Sequence, residues 1–284
     1  MKKLAALLSL LLLMTPLVGC GTQTLEDGVL TIGLECGYAP FNWTTTSGGE
    51  DNVAIANSGF LGIGRTYCAG YDIAVAQHIA DELGYTLRVR KISWDGLIPA
   101  LNSGNIDAII AGMTDTPSRR ESVSFTTPYY ESQLVMLVRA NGDYADAANI
   151  DDFAGARLAA QVGTVQDDLI GEFAEEIDGL VHGTPYETYP DALLALLEAN
   201  SGLDGVLAER PIAEAMLANY PTELAMIEFF SAPDVYDEDF VITVSIAVRQ
   251  SDTALRDAMN AVLASLTVAT RIEWMEAAIA ADKD

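Results

Sequence analysis

The chain reads as an α/β protein in two lobes. Short apolar runs alternate with stretches of helical period, the alternation restarts near residue 157, and 284 residues suit two units of about 100 to 150 residues each. Val29 to Leu34 has the length and composition of a strand. Thr44 to Ala69 is rich in Gly, Ser and Asn without any period and reads as a long loop. Asp72 is placed as the cap of a helix carrying Ile73, Ala76, Ile79, Ala80 and Leu83, with Gly84 as its stop. Thr86 to Ile92 alternates as a strand, and Asp95 to Ser103 is a short helix stopped by Gly104. Ile106 to Ala111, apolar but for Asp107, has the pattern of a parallel strand covered on both faces.

The second unit repeats this grammar. Arg157 to Val162 reads as a strand, Gln166 to Ile177 and Asp191 to Ala199 as helices, and Gly205 to Glu209 as a strand. Pro211 opens a further helix at a position where Pro is tolerated. After the apolar run Phe240 to Val248, Asp252 to Ala281 is one long amphipathic stretch, expected to pack back on the first lobe.

Half the residues are hydrophobic and 20% are charged, so a sizeable core forms and whole-chain disorder is excluded. Fifteen basic residues against 41 acidic ones give a net charge of −26. That balance excludes the basic stripe nucleic-acid binding needs, and it disfavours docking on anionic membranes. It is compatible with a cationic ligand and equally with a role in solubility.

Lys2 and Lys3 precede an apolar run from Leu4 to Leu17, long enough for a signal-peptide core and short for a membrane span. Leu17-Val18-Gly19-Cys20 then resembles the bacterial lipobox, in which the Cys is lipidated and becomes the new N-terminus. The expected organisation is a signal peptide over 1–19, a tether over 20–25 and a mature protein with 13 basic against 41 acidic residues, or −28. It is exported and lipid-anchored at the outer face of the plasma membrane or in the periplasm. With Cys20 assigned to lipid, Cys36 and Cys68 remain, and an exported compartment permits a disulfide between them. His78 and His182 have no ligand-like spacing, so no metal site is indicated, and no cofactor is implied.

Gly112 to Arg119 follows directly from the buried Ile106 to Ala111 strand, at the strand end where open α/β sheets bind ligands. Thr116 and Pro117 read as the cap and first residue of a short helix with Arg119 in its first turn. A guanidinium there is a bidentate, permanently charged carboxylate clamp. In the second unit Gly163-Thr164, between strand and helix, offers backbone N–H groups and a hydroxyl to the same anion. Glu209 ends its strand as a carboxylate able to receive a cation. Clamp, hydroxyls and opposed carboxylate are what an amino-acid zwitterion requires.

The chain resembles the polar amino-acid-binding proteins of ABC importers over about residues 28–279. The resemblance is carried by Tyr38-Ala39-Pro40-Phe41, Gly70-Tyr71-Asp72-Ile73, Trp94-Asp95-Gly96-Leu97-Ile98-Pro99-Ala100-Leu101, Asp107 to Thr114, and Thr116-Pro117-Ser118-Arg119 followed by Phe125-Thr126-Thr127-Pro128-Tyr129-Tyr130. It implies a two-lobe type II periplasmic-binding-protein fold with a two-segment hinge. Lobe one would comprise 26–135 plus 240–284, and lobe two 136–239, with hinge segments near Glu131 to Leu137 and Phe240 to Ser245. It also implies that Arg119 binds the ligand α-carboxylate, helped by the N–H groups of Thr114 and Thr164. Glu209, where the family usually has Asp, would receive the α-ammonium together with the Gly112 carbonyl and the Thr114 hydroxyl. Tyr38 and Trp94 would flank the ligand side chain, and Glu35 would face its tip. The expected activity is transport binding and not catalysis, by a monomer that hands an L-amino acid to an ABC permease. Glu35 in an acidic protein favours an arginine- or lysine-like ligand. The alternatives are a neutral polar amino acid such as glutamine or cystine, or a same-fold periplasmic dehydratase using Glu209 as acid.

Overall fold

The computed structural model describes residues 25, 28–49, 51–59, 64–232, 235–236 and 240–282. The expected signal peptide, Cys20 and most of the tether lie outside the described residues.

In Val29–Leu34, Leu30, Ile32 and Leu34 are fully buried, and Thr31 between them is nearly so. A strand covered on both faces belongs in the middle of a sheet. It pairs in parallel with Thr86–Lys91 on one side and Ala108–Ile109 on the other. Ala247–Val248 and then Ser124–Phe125 extend the sheet in antiparallel sense. Helices α1 (Tyr71–Leu83), α2 (Leu97–Asn102) and α3 (Pro117–Arg120) belong to this lobe.

The second sheet has the order Val181–His182, Arg157–Ala159, Gly205–Glu209, Tyr130–Arg139, Leu224–Glu228, its first two junctions parallel and the rest antiparallel. Helices α4 (Val165–Glu176), α5 (Tyr189–Leu197) and α6 (Arg210–Asn219) accompany it. The alternation of a strand divides its side chains between two cores. Leu134, Met136 and Val138 join Leu158, Leu207 and Phe229 on one face, whereas Val135 and Leu137 point into the larger core on the other. Full burial of such a side chain contributes roughly 1.5–3 kcal/mol. The same long strand begins between the lobes, where Tyr130 to Gln133 pair with Val244 to Val241. Two antiparallel segments therefore connect the sheets.

Three sequence expectations change. The 44–69 segment is not a plain loop: Gly37–Tyr38, Asn42–Thr45, Val53–Ala54 and Tyr67–Ala69 form a small antiparallel sheet, with Thr44 opposite Cys68 and Cys68 opposite Val53. Strands of two to four residues are too short for a period to show. Asp72 is not the cap of α1. The N-cap is Gly70, at φ 117°, where an added Cβ would stand 2.5 Å from the Phe41 carbonyl oxygen, while Asp72 is the second residue of the first turn and is wholly buried. The amphipathic tail is two helices, α7 (Thr253–Ser265) and α8 (Val268–Ala281), because Leu266 turns extended and the Thr267 side chain accepts the Thr270 N–H as a new cap. It packs on α1 as expected, but α8 also touches α6 of the second lobe.

Candidate functional site

Both sheets turn the carboxyl ends of their parallel strands toward the gap between the lobes. Glu35 and Tyr38 follow the Val29–Leu34 strand, Gly112 and Thr114 follow Ala108–Ile109, and Arg119 sits on α3. Opposite them, Gln161 and Thr164 follow Arg157–Ala159, and Glu209 ends its strand. The eight residues singled out by sequence (Glu35, Tyr38, Trp94, Gly112, Thr114, Arg119, Thr164 and Glu209) line one cavity, joined there by Gln161, Val165 and Gln166.

Several expected features take the form the sequence indicates. The Thr116 hydroxyl accepts the Arg119 N–H, and Pro117 opens the short helix. The Arg119 side chain donates to the Thr114 carbonyl (2.7 Å) and, across the gap, to the Gly163 carbonyl (3.1 Å), while its guanidinium lies 5.3 Å from the centre of the Trp94 ring. Trp94 Nε1 donates to the same Gly163 oxygen at 3.2 Å. Desolvation lowers the Arg119 pKa from its ordinary value, yet guanidinium stays charged in proteins.

The carboxylates are held differently from a simple open receiver. Glu209 is 2% exposed and accepts a hydrogen bond from the Tyr38 hydroxyl. Burial pushes its pKa up to about 8, so at neutral pH the closed cleft favours the neutral acid. Tyr38 stacks on Phe41 and meets the edge of Tyr189. Glu35 is 8% exposed, and Gln161 from the other lobe donates to both of its oxygens at 2.9 and 3.1 Å. Burial raises the Glu35 pKa, opposed by the Gln161 bond and by Lys91. The Thr164 hydroxyl, expected to face an anion, donates to the Gln161 carbonyl at 2.7 Å and accepts the Asp167 N–H as the cap of α4. The neighbouring Gly163 N–H is bonded to the Asp167 carboxylate.

Behind the first wall lies a buried network that includes Asp72, which the sequence places as a helix cap. Tyr129 donates to Asp72 at 2.6 Å and accepts the Gly112 N–H at 2.9 Å, and Asn42 donates to the other Asp72 oxygen at 2.8 Å. Burial raises the Asp72 pKa to about 7 against the pull of these donors. Gly112 stands at φ 62° with the Tyr38 ring 3.2 Å from where a Cβ would be, so the turn that presents its carbonyl needs glycine. Gln161 was missed altogether. Its only sequence signal is its place just beyond a buried strand.

Cys36 and Cys68 are adjacent buried free thiols, and burial beside Cys36 raises the Cys68 pKa. Among the described residues, no group of three or more His, Cys, Asp or Glu could hold a metal ion, and no helix is long and apolar enough to cross a membrane.

A two-lobed α/β protein with a two-segment hinge and its polar groups turned into the interlobe cleft belongs to the class of hinged small-molecule binders. Residues 60–276 match the bacterial extracellular solute-binding proteins, family 3, and the chain belongs to that family. It is thus an exported binding protein of the amino-acid importer type and not an enzyme. It is 32% identical over 195 residues to the putative ABC transporter arginine-binding protein 2 of Escherichia coli K12, covering 68% of this chain and 74% of the relative. It is 26% identical over 243 residues to the L-cystine-binding protein TcyJ of the same strain, covering 85% and 78%. The arginine-bound truncated ArgBP from T. maritima superposes with a TM-score of 0.67 at 28% identity, covering 84% of this chain and 97% of that one.

Proposed function

We propose that the protein captures a cationic L-amino acid, arginine above all, and delivers it to an ABC permease. The single observation that carries this reading is Glu35, a nearly buried carboxylate lining the cavity that Arg119 and Glu209 also line. Arg119 takes the α-carboxylate, with the N–H groups of Thr114 and Thr164. Glu209, the Gly112 carbonyl and the Thr114 hydroxyl take the α-ammonium, whose charge draws Glu209 back to its ionised form. Tyr38 and Trp94 flank the side chain, and Glu35 receives its guanidinium by exchanging Gln161 for a charged donor. The relatives named as arginine-binding support the ligand. The cystine-binding relative keeps a neutral polar amino acid as the second reading, because Glu35 also accepts an amide donor, as its bond with Gln161 illustrates.

The lobes are taken as 26–135 plus 240–284 and 136–239, hinged at the paired strands. The mature protein acts as a monomer tethered through lipidated Cys20, with Cys36 and Cys68 closed as a disulfide after export. Mass measurement of the non-reduced exported protein checks both points: an acylated Cys20 and no alkylatable thiol are expected. Calorimetry tests the ligand. Arginine should bind at least about tenfold tighter than glutamine, and Glu35→Gln should erase most of that margin. Tighter binding of glutamine or cystine by the wild type would exclude the cationic ligand and leave the transport role standing.

A further inference from the structure

Beside the ligand cavity lies a second interlobe chamber. Glu35 and Trp94 line both. Beyond them, Lys91, Ser93 and Asp95 form one wall, and Val162, Glu187 and Thr188 of the other lobe form the opposite one. The cavity around Arg119 and Glu209 measures about 10 Å³, whereas this chamber measures about 280 Å³. The boundary between them is the hydrogen bonding of Gln161, which reaches Glu35 on one side and the Glu187 carbonyl on the other (3.1 Å).

We propose that this chamber extends the ligand site and accepts cationic amino acids alkylated at the distal nitrogen, with Glu35 and Gln161 as its threshold. The proposal rests on the cationic reading of the main site. A guanidinium has five N–H donors, more than Glu35 can accept, so one face can satisfy Glu35 while a substituted nitrogen points onward. The chamber chemistry suits such a group. Glu35, Asp95 and Glu187 are three carboxylates against the single ammonium of Lys91, which is itself held on the Thr44 hydroxyl at 2.9 Å. Ile92, Val162 and Trp94 add apolar surface for methyl groups that bulk water would otherwise hydrate. Gln161 need release only Glu35, since its bond to the Glu187 carbonyl can persist.

Calorimetry of the full chain with L-arginine and with asymmetric Nω,Nω-dimethyl-L-arginine tests this. Two variants fill the chamber from opposite walls: Val162→Trp, at a side chain 38% exposed, and Ser93→Phe, also at the surface. The wild type should bind the two ligands within about fivefold of each other. Each filled variant should weaken the dimethylated ligand at least about tenfold while changing arginine less than about twofold. A wild type that binds the dimethylated ligand more than about a hundredfold weaker than arginine overturns the chamber alone, as does an equal effect of both variants on both ligands. A wild type that binds neither ligand overturns the cationic reading, and the chamber with it.

Discussion

The two walls of the cleft are built on different terms. On the first lobe, Arg119 is aimed by the Thr116 cap and the Thr114 carbonyl, and the Gly112 turn is braced by Tyr129, Asp72 and Asn42. These contacts all lie within the first lobe, although Arg119 also reaches across the gap to the Gly163 carbonyl. On the second lobe Gln161, Thr164 and Glu209 each have another task. Gln161 holds Glu35, Thr164 caps α4, and Glu209 begins α6 while accepting from Tyr38. The first wall is therefore the preorganised one, and an arriving amino acid must exchange contacts with the second. Preorganised groups confer affinity at low ordering cost, whereas exchanged ones set how closure is coupled to binding.

The sharpest test of this asymmetry is Arg119→Ala. Removing a charge-assisted, two-pronged carboxylate contact should weaken arginine and glutamine alike by at least about a hundredfold. Calorimetry with both ligands reads it, and a loss below about tenfold would mean that the second wall carries the α-carboxylate.

A smaller effect is expected from Asp72→Asn, which alters the brace and leaves the ligand contacts in place. The folded pKa of Asp72, about 7, lies above its ordinary 3.8, so the native state holds the proton more tightly than the unfolded chain. Its contribution to stability is complete below pH 3.8 and is lost as pH rises through about 7. The wild-type Tm should therefore fall between pH 5 and pH 8, and in Asp72→Asn that fall should be smaller by about 3–6 °C. Identical pH profiles would show that the brace does not titrate. Glu209, raised for the same reason, contributes in the same direction and must be held constant in the comparison.

The contrast between the walls also explains what was legible in the sequence. Residues at the ends of long or wholly buried strands, such as Gly112 after the Ile106 to Ala111 run and Glu209 after Gly205 to Ala208, could be placed because the strand pattern itself locates the cleft. Thr116-Pro117 gave away its helix start through cap chemistry. Asp72 was misplaced because a carboxylate near a helix start satisfies the same pattern whether it caps that helix or bonds to Asn42 and Tyr129, residues 30 and 57 positions away. Gln161 was invisible because its importance depends on meeting Glu35, 126 residues distant, and no local rule reports that. The small sheet over 37–69 was hidden by strands shorter than one recognisable period.

Thr164→Ala should give the smallest effect and makes the finest cut between the walls. The Thr164 hydroxyl is engaged on both sides, accepting the Asp167 N–H at 3.3 Å and donating to the Gln161 carbonyl at 2.7 Å. Losing an N-cap costs about 1 kcal/mol, which lowers Tm by about 2–4 °C in a chain of this size. If the second wall meets the ligand carboxylate through the backbone N–H of residue 164, affinity for arginine should fall only about two- to fivefold, as a looser cap lets that N–H wander. If the hydroxyl instead leaves the cap on closure and bonds the carboxylate itself, the loss should reach about ten- to a hundredfold, the effect of removing a hydrogen bond to a charged group. Thr164→Ser keeps the hydroxyl and should restore both Tm and affinity. A large loss in Thr164→Ala, rescued by Ser, would make the second wall a recognition surface equal to the first and would end the asymmetry.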